Sequence, residues 1–431
     1  RCSADAAAAP IMPTDEPVTP DSAARGAALS QLRVLDLSRV LAGPWCSQML
    51  ADFGAEVIKI ERPGRGDDTR AWGPPWLADP AGADTGESAY YLAANRGKKS
   101  VTLDLSRERG RQIARSLAAS SDVLIENFKP GHLDRWGLGY DALHELHPGL
   151  VYCSISGFGQ TGPDRNRPGY DFMVQAMGGL MSVTGEPDGV PGGGPIKTGV
   201  ALADILTGLY ACAGILAALN ERERSGLGQH IDLALLDVQV ACLANQAMNY
   251  LVTGEPPGRL GNAHPNIVPY QSFPTSDGHL VVAVGNDSQF ADLCAVLCCP
   301  ELADDDRFAT NAGRVAHRHL LIPALADRLA RRESGEWLTR LEAAGVPCGP
   351  INSLDQVFAL PQVKARGMQF ELPHSVAGRV PQVRSPLRFS DSPDVAQRPP
   401  PTLGQDTDEV LREVLGLDRA ERQSLRDDGI V

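Results

Sequence analysis

Short apolar runs alternate with helix-patterned stretches along the first half of the chain. Residues 32–37, 56–61, 100–105, 122–128 and 150–156 are compact Val-, Ile- and Leu-rich runs of strand length. Residues 43–54, which end on Gly54, and residues 107–120 show the apolar spacing of helices. Strand–helix alternation of this kind predicts a parallel sheet covered on both faces, with ligands beyond the strand C-termini. The longest apolar run, residues 205–219, is too short to span a bilayer comfortably and predicts a buried helix.

A different pattern starts near Gly261. Residues 268–273 and 279–284 flank Ser276-Asp277-Gly278, a hairpin signal, and helical stretches follow at 320–332 and 336–344. Arg398-Pro399-Pro400-Pro401 reads as a stiff connector, and residues 407–415 as a terminal helix. The fold class expected is α/β: a Rossmann-like large domain with a parallel sheet plus a smaller α+β domain. The expected divisions are a disordered tail at 1–30, a large domain at 31–230, a linker helix at 231–260, a small domain at 261–365, and a C-terminal segment at 366–431 returning to the large domain. The first strand is followed by Ser38-Arg39-Val40-Leu41-Ala42-Gly43-Pro44, not Gly-x-Gly-x-x-Gly, and no Walker A sequence occurs. A nicotinamide, flavin or ATP site is therefore not supported. Gly192-Gly193-Gly194 reads as a mobile loop or, more sharply, an active-site lid.

Composition narrows the chemistry. At 431 residues the chain is too long for one ordinary core. A net charge of -13 argues against general nucleic-acid binding, which needs a broad basic face. Nine scattered cysteines without a Cys-x-x-Cys pair support neither a zinc site nor a disulfide framework, so no metal is expected and the compartment is expected to be reducing. The chain opens on Arg1, and Met12 is expected to be its natural start; Asp5, Asp15, Glu16 and Asp21 speak against a transit peptide. The expected location is cytoplasmic, or the mitochondrial matrix in a eukaryote, with no membrane partner.

An acidic protein that binds an anion must concentrate its cations. Three clusters do so: Lys59, Arg62, Arg65 and Arg70; then Arg96, Lys98 and Lys99; then Lys129 and Arg135, after Glu126-Asn127-Phe128. Any one of these cations is more often a solvated surface charge. Together they suit a ligand with several phosphates, and Phe128 suits an adenine ring. Asp204 stands where Thr198-Gly199-Val200-Ala201-Leu202-Ala203 runs into the long apolar helix. On position alone it reads as an N-cap before it reads as a nucleophile. His132, His144 and His147 read as packing or surface residues, while His264 has a minority claim on substrate.

Val40-Leu41-Ala42-Gly43-Pro44, Ile60-Glu61-Arg62-Pro63-Gly64, Gly66-Asp67-Asp68-Thr69-Arg70 and Asn95-Arg96-Gly97-Lys98-Lys99-Ser100 resemble the class III CoA-transferases. So do Gly157-Phe158-Gly159-Gln160-Thr161-Gly162-Pro163 and Gly169-Tyr170-Asp171. Thr69-Arg70-Ala71-Trp72-Gly73-Pro74-Pro75 and Val268-Pro269-Tyr270-Gln271-Ser272-Phe273 are most similar to the succinyl-CoA–glutarate branch. The resemblance implies that Asp204 is a nucleophile forming an aspartyl-CoA intermediate. It implies that Asp171 is a second active-site acid beside Tyr170, and that Arg62, Lys98 and Arg135 hold CoA phosphates. Val40, Asn95, Asn127 and Phe128 would line the nucleotide and pantetheine, and coenzyme A would enter as acyl-CoA substrate, not as a resident cofactor. It also implies a homodimer of interlocked rings. Leu41 stands where oxalate-specific relatives carry Gln, which speaks against an oxalate pocket.

Two alternatives stand beside this reading. An α-methylacyl-CoA racemase has Gly-His-Asp where this chain has Gly169-Tyr170-Asp171, and a tyrosine with an ordinary pKa of about 10 is a poor near-neutral base. A non-catalytic acyl-CoA-binding protein predicts binding without exchange.

Overall fold

The apolar runs of the first half assemble into one six-stranded sheet whose neighbours are all parallel. The structure is a computed structural model; it describes residues 26–392 and 398–431, so the predicted tail lies almost wholly outside the described residues. The sheet strands are β1 (Arg33–Asp36), β2 (Glu56–Glu61), β3 (Lys98–Thr102), β4 (Val123–Glu126), β5 (Val151–Ser156) and β6 (His230–Ala234). They lie in the order β3-β2-β1-β4-β5-β6, the doubly wound arrangement.

Strand alternation builds two cores from these runs. Val34, Val57, Val123 and Val151 point to one face, against helices α1 (Ala42–Asp52) and α4 (Leu202–Ser225). Their neighbours Leu35, Ile58, Leu124 and Tyr152 point to the other, against α2 (Glu108–Ala119). Each such side chain contributes roughly 1.5–3 kcal/mol by leaving water, and truncating one such as Leu124 to Ala costs about 2–5 kcal/mol. Helix α4 reaches 24 residues, well beyond the predicted run, and is long and apolar enough to cross a bilayer by length and composition. In the fold it packs against α1, with Ala211, Cys212 and Ile215 fully or nearly buried.

The C-terminal segment closes the far edge. The Asp406 carboxylate accepts the Ser100 N–H at 2.8 Å, and Thr407 Oγ1 accepts the Thr102 N–H at 3.0 Å. Val410 and Leu411 then join the second core. The helix there spans Thr407–Glu413, and contrary to the expected single terminal helix another follows, Arg419–Asp427, started by an Asp418/Glu421 capping box. The second region contains the expected hairpin, Tyr270–Pro274 with His279–Ala283, extended by Cys348–Pro350 into a three-stranded sheet. Its helices close over a separate core that includes Phe273, Leu293, Leu325 and Trp337.

Two elements differ from expectation. The stretch predicted as a linker helix at 231–260 opens on strand β6, which completes the sheet beside β5, and only then forms Leu235–Ala241 and Ala244–Thr253. Strand β6 is half-exposed and short, so its pattern does not separate from that of the helix behind it. A small antiparallel ribbon, Trp76–Ala78 with Asp84–Ser88, lies between β2 and β3 in the chain and departs from expectation, because its strands are short and neither carries an apolar run of strand length.

Candidate active site

Strand order reverses between β1 and β4, and the chain leaves their C-termini in opposite directions. A crevice must open there. Asn127, just after β4, bridges it: Nδ2 donates to the Arg39 carbonyl at 2.7 Å, and Oδ1 accepts the Arg39 N–H at 3.0 Å. The next residue, Val40, has φ 72°. A β-branched residue in the left-handed region costs of order 1–3 kcal/mol and persists only where its surroundings dictate it. Here Asp67 does so, its carboxylate accepting the Val40 N–H at 3.2 Å while pairing with the buried Lys59 at 2.9 Å. Burial disfavours that charge, but Lys59 and the Thr69 amide prevail and hold the Asp67 carboxyl below its ordinary value.

Two clefts meet at this crevice. The first, about 560 Å³, has a rim of Arg39, Arg62, Arg65 and Lys129 and an aromatic wall of Phe128, His132 and Trp136. The Phe128 and His132 rings stack at 5.6 Å. Arg135 stands behind them, its guanidinium 3.2 Å from His132 Nδ1. The second cleft, about 450 Å³, shares Arg39, Asp68, Phe128 and Lys129 with the first and runs past Val40 and Trp72 to Tyr170 and Asp204. A long ligand with an anionic head and a thin tail would lie across both, with its tail at Asp204.

Asp204 is the third residue of α4 and 8% exposed. Among the described residues no donor reaches its carboxylate. Burial, and secondarily the charge of Asp171, push its pKa up to about 7 from 3.8. The cap reading of Asp204 is therefore corrected. The capping carboxylate is Asp171, whose Oδ1 accepts the Ala203 N–H at 2.8 Å and the Asp204 N–H at 3.4 Å, while Ala201 at the N-cap position offers no side-chain bond. Asp171 reaches this point because Gly157 and Gly169 let two backbones touch. A Cβ on either would collide with the other's Cα, so the turn before Tyr170 requires glycine at both places. Tyr170 is 59% exposed at the mouth of the cleft.

The structure does not bring every predicted residue here. Lys98 is fully buried, its Nζ donating to Asp36 Oδ2 at 3.2 Å, the Pro44 carbonyl at 3.0 Å and Asn95 Oδ1 at 2.9 Å. Burial lowers its pKa to about 8 despite Asp36. Asn95 is equally buried and donates to the Tyr91 carbonyl. Both hold the floor under the crevice; neither faces a cleft. Arg96 is paired with Asp52, Lys99 with Glu56 and Glu409, and Arg70 with Glu61, so the middle cluster and part of the first are structural. His264 lies in the second region, its Nδ1 accepting the Asn266 N–H.

Sequence reasoning missed Tyr90 and Trp72 as a pair. Their rings meet edge to face at 5.1 Å, and Trp72 lines the inner cleft. Burial, and then the charges of Asp204 and Asp171, hold the Tyr90 hydroxyl above its ordinary pKa. It missed Arg39 as well, which reads as a loop residue and pairs with Asp68 at 2.7 Å on the rim. No periodicity marks any of the three.

The family model described as CoA-transferase family III matches residues 29–407. The chain is 52% identical over 391 residues to the succinate–glutarate CoA-transferase of Agrobacterium fabrum, an alignment covering 91% of this chain and 96% of that one. It is 45% identical over 403 residues to the human succinyl-CoA:glutarate CoA-transferase, covering 94% and 90%. Among solved structures, a CAIB/BAIF family protein from Brucella suis superposes with a TM-score of 0.79 at 49% identity, covering 90% of this chain and 100% of that one.

Proposed function

This chain belongs to CoA-transferase family III and is a CoA-transferase; on that premise we propose that it moves CoA from succinyl-CoA to glutarate through a covalent intermediate on Asp204. The observation that carries the proposal is an unpaired, desolvated carboxylate at the inner end of two joined clefts whose outer end is basic and aromatic. The names of the two similar transferases support the choice of donor and acceptor.

An Asp204 carboxylate oxygen attacks the thioester carbonyl carbon, the C–S bond breaks, and CoA leaves as thiolate. The thiolate returns to the aspartyl carbonyl of the mixed anhydride and releases succinate, leaving an aspartyl-CoA thioester. Glutarate repeats both exchanges in reverse order, and Asp204 leaves as carboxylate. No proton is gained or lost overall, so the site needs no strong acid or base. It needs a nucleophile more basic than an ordinary carboxylate, which burial supplies. It also needs a donor for the oxyanions, and the Tyr90 hydroxyl, which feels the charges of Asp204 and Asp171, is the candidate, since the first-turn amides of α4 are already taken by Asp171 and by backbone carbonyls. Arg62, Arg65 and Lys129 bind phosphates, with Arg135 behind them and Phe128 against the adenine.

Hydroxylamine added during turnover tests this reading: it is expected to leave a hydroxamate on Asp204, found by peptide mass. Label on another carboxylate, or ordinary turnover by Asp204→Ala, refutes it. The homodimer belongs to the same proposal. It is supported by the exposed apolar side of Ala244–Thr253, where Met248, Leu251 and Val252 are 55%, 69% and 77% exposed. An active monomer by light scattering would refute it.

A further inference from the structure

The residues that frame Asp204 converge on one buried amide outside both clefts. Gln175 lies four positions after Asp171 on α3 (Asp171–Met177) and is 0% exposed. Its Nε2 donates to Asp171 Oδ2 at 2.8 Å and approaches the Val200 carbonyl at 3.5 Å. Its Oε1 accepts the Thr198 N–H at 3.0 Å and lies 3.2 Å from Thr198 Oγ1. One side chain thus grips the carboxylate that caps α4 and the strand of chain that leads into α4.

We propose that Gln175 is the positioning residue for the nucleophile: it fixes Asp171 and residues 198–200 relative to each other and so holds the N-terminus of α4, and Asp204 with it, against the acyl end of the cleft. The proposal rests on Asp204 being the nucleophile. Two features of the fold require such a residue. Helix α4 has no cap of its own, so its reactive end is held from another helix. And the Asp204 carbonyl must pass through anhydride, thioester and anhydride again without losing its place, which a frayed first turn would not allow. The chemistry selects an amide. The group must donate to a carboxylate on one side and accept from an amide N–H on the other, and among side chains of this length only glutamine does both without charge. Residues four apart share a helix face, which brings Gln175 beneath Asp171.

The exchange of donor and acceptor provides the test. In Asp171→Asn the group facing Gln175 becomes an NH2, and two donors meet. In Gln175→Glu two carboxylates meet. In the double variant the asparagine donates to the glutamate, the glutamate still accepts from Thr198, the asparagine oxygen still accepts from the α4 amides, and the total charge is unchanged.

Full-length enzyme is assayed with succinyl-CoA and glutarate. Each single variant is expected to lose about tenfold to a hundredfold in kcat, the scale of a buried hydrogen bond to a charged group, with the KM for succinyl-CoA within about twofold because the phosphate contacts lie elsewhere. The double variant is expected to recover at least about tenfold over the product of the two losses. Losses that simply multiply, a Gln175→Glu with unchanged kcat, or losses that appear in KM instead, overturn the proposal. If Gln175→Glu does not fold, Gln175→Met keeps the shape without the hydrogen bonds, and an unchanged kcat there overturns it equally. Hydroxylamine trapping in the unaltered enzyme reports on Asp204 independently, so failure of the nucleophile reading and failure of the Gln175 role are told apart.

Discussion

Replacing Asp204 by asparagine should make the protein more stable, and by an amount that grows with pH. In the native state the carboxyl is pushed up to about 7, burial first and Asp171 second, against 3.8 for an unperturbed aspartate. A folded-state pKa above the unfolded value means that below about pH 4 both states are protonated and the site costs nothing. Between pH 4 and 7 the native state retains a proton that the unfolded chain has released, so stability falls as pH rises; above 7 the whole cost is present. At about 1.4 kcal/mol per decade, the cost is roughly 1.5 kcal/mol at pH 5 and roughly 4 kcal/mol at pH 8. Asparagine has the same shape, no charge to desolvate, and no hydrogen bond to lose, since no described donor reaches Asp204. Urea unfolding of both proteins at pH 5 and pH 8 measures the two differences. A gap that does not widen with pH, or an Asp204→Asn protein less stable at pH 8, would show that the carboxylate is not strained by its site, and the argument for its raised nucleophilicity would fail with it. Such strain is the expected mark of a residue kept for chemistry at the expense of stability.

The kcat/KM profile should rise with pH through about 7 as Asp204 ionises, and Asp171→Asn, which removes the neighbouring negative charge, should move that limb to lower pH; a limb that stays in place refutes the coupling. Arg62→Ala should raise the KM for acyl-CoA with stability unchanged. Lys98→Met should instead cost about 3–5 kcal/mol of stability by stranding the buried Asp36, with the KM of the folded enzyme unaltered, and the reverse pattern in the pair would restore Lys98 to the phosphate site. Gly169→Ala should lower exchange sharply, because its Cβ meets the Gly157 backbone and displaces Tyr170 and Asp171; full activity would show that the close approach is dispensable.

The sheet was legible because its strands are buried on both faces and therefore read as uninterrupted apolar runs; β5 is buried at all six positions. Strand β6 failed for the same reason in reverse, being half-exposed and followed directly by a helix. Resemblance draws attention to Asp204, but no local pattern shows that it is the third residue of its helix and not the cap, since the cap comes from Asp171, far away along the chain. The basic clusters show the limit most clearly. Sequence displays that Arg62 and Lys98 are both cations following or opening strands, but not that one stands on a rim and the other has all its donors satisfied beneath the floor. Depth is set by tertiary packing, and no local pattern encodes it.

The borrowed cap on α4 also bears on the order in which this molecule comes together. A helix that carries its own cap can form its first turn as soon as it is made; this one waits for a partner 32 residues earlier in the chain to arrive, by way of a glycine-to-glycine contact. Closing that loop is slow compared with winding a helix. The body of α4 is held by its apolar surface against α1, while its first turn sets only when the Tyr170–Asp171 segment docks. The end of the helix that carries Asp204 is thus fixed separately from its body, so a chain in which that one docking fails keeps its cores and loses only the placement of Asp204.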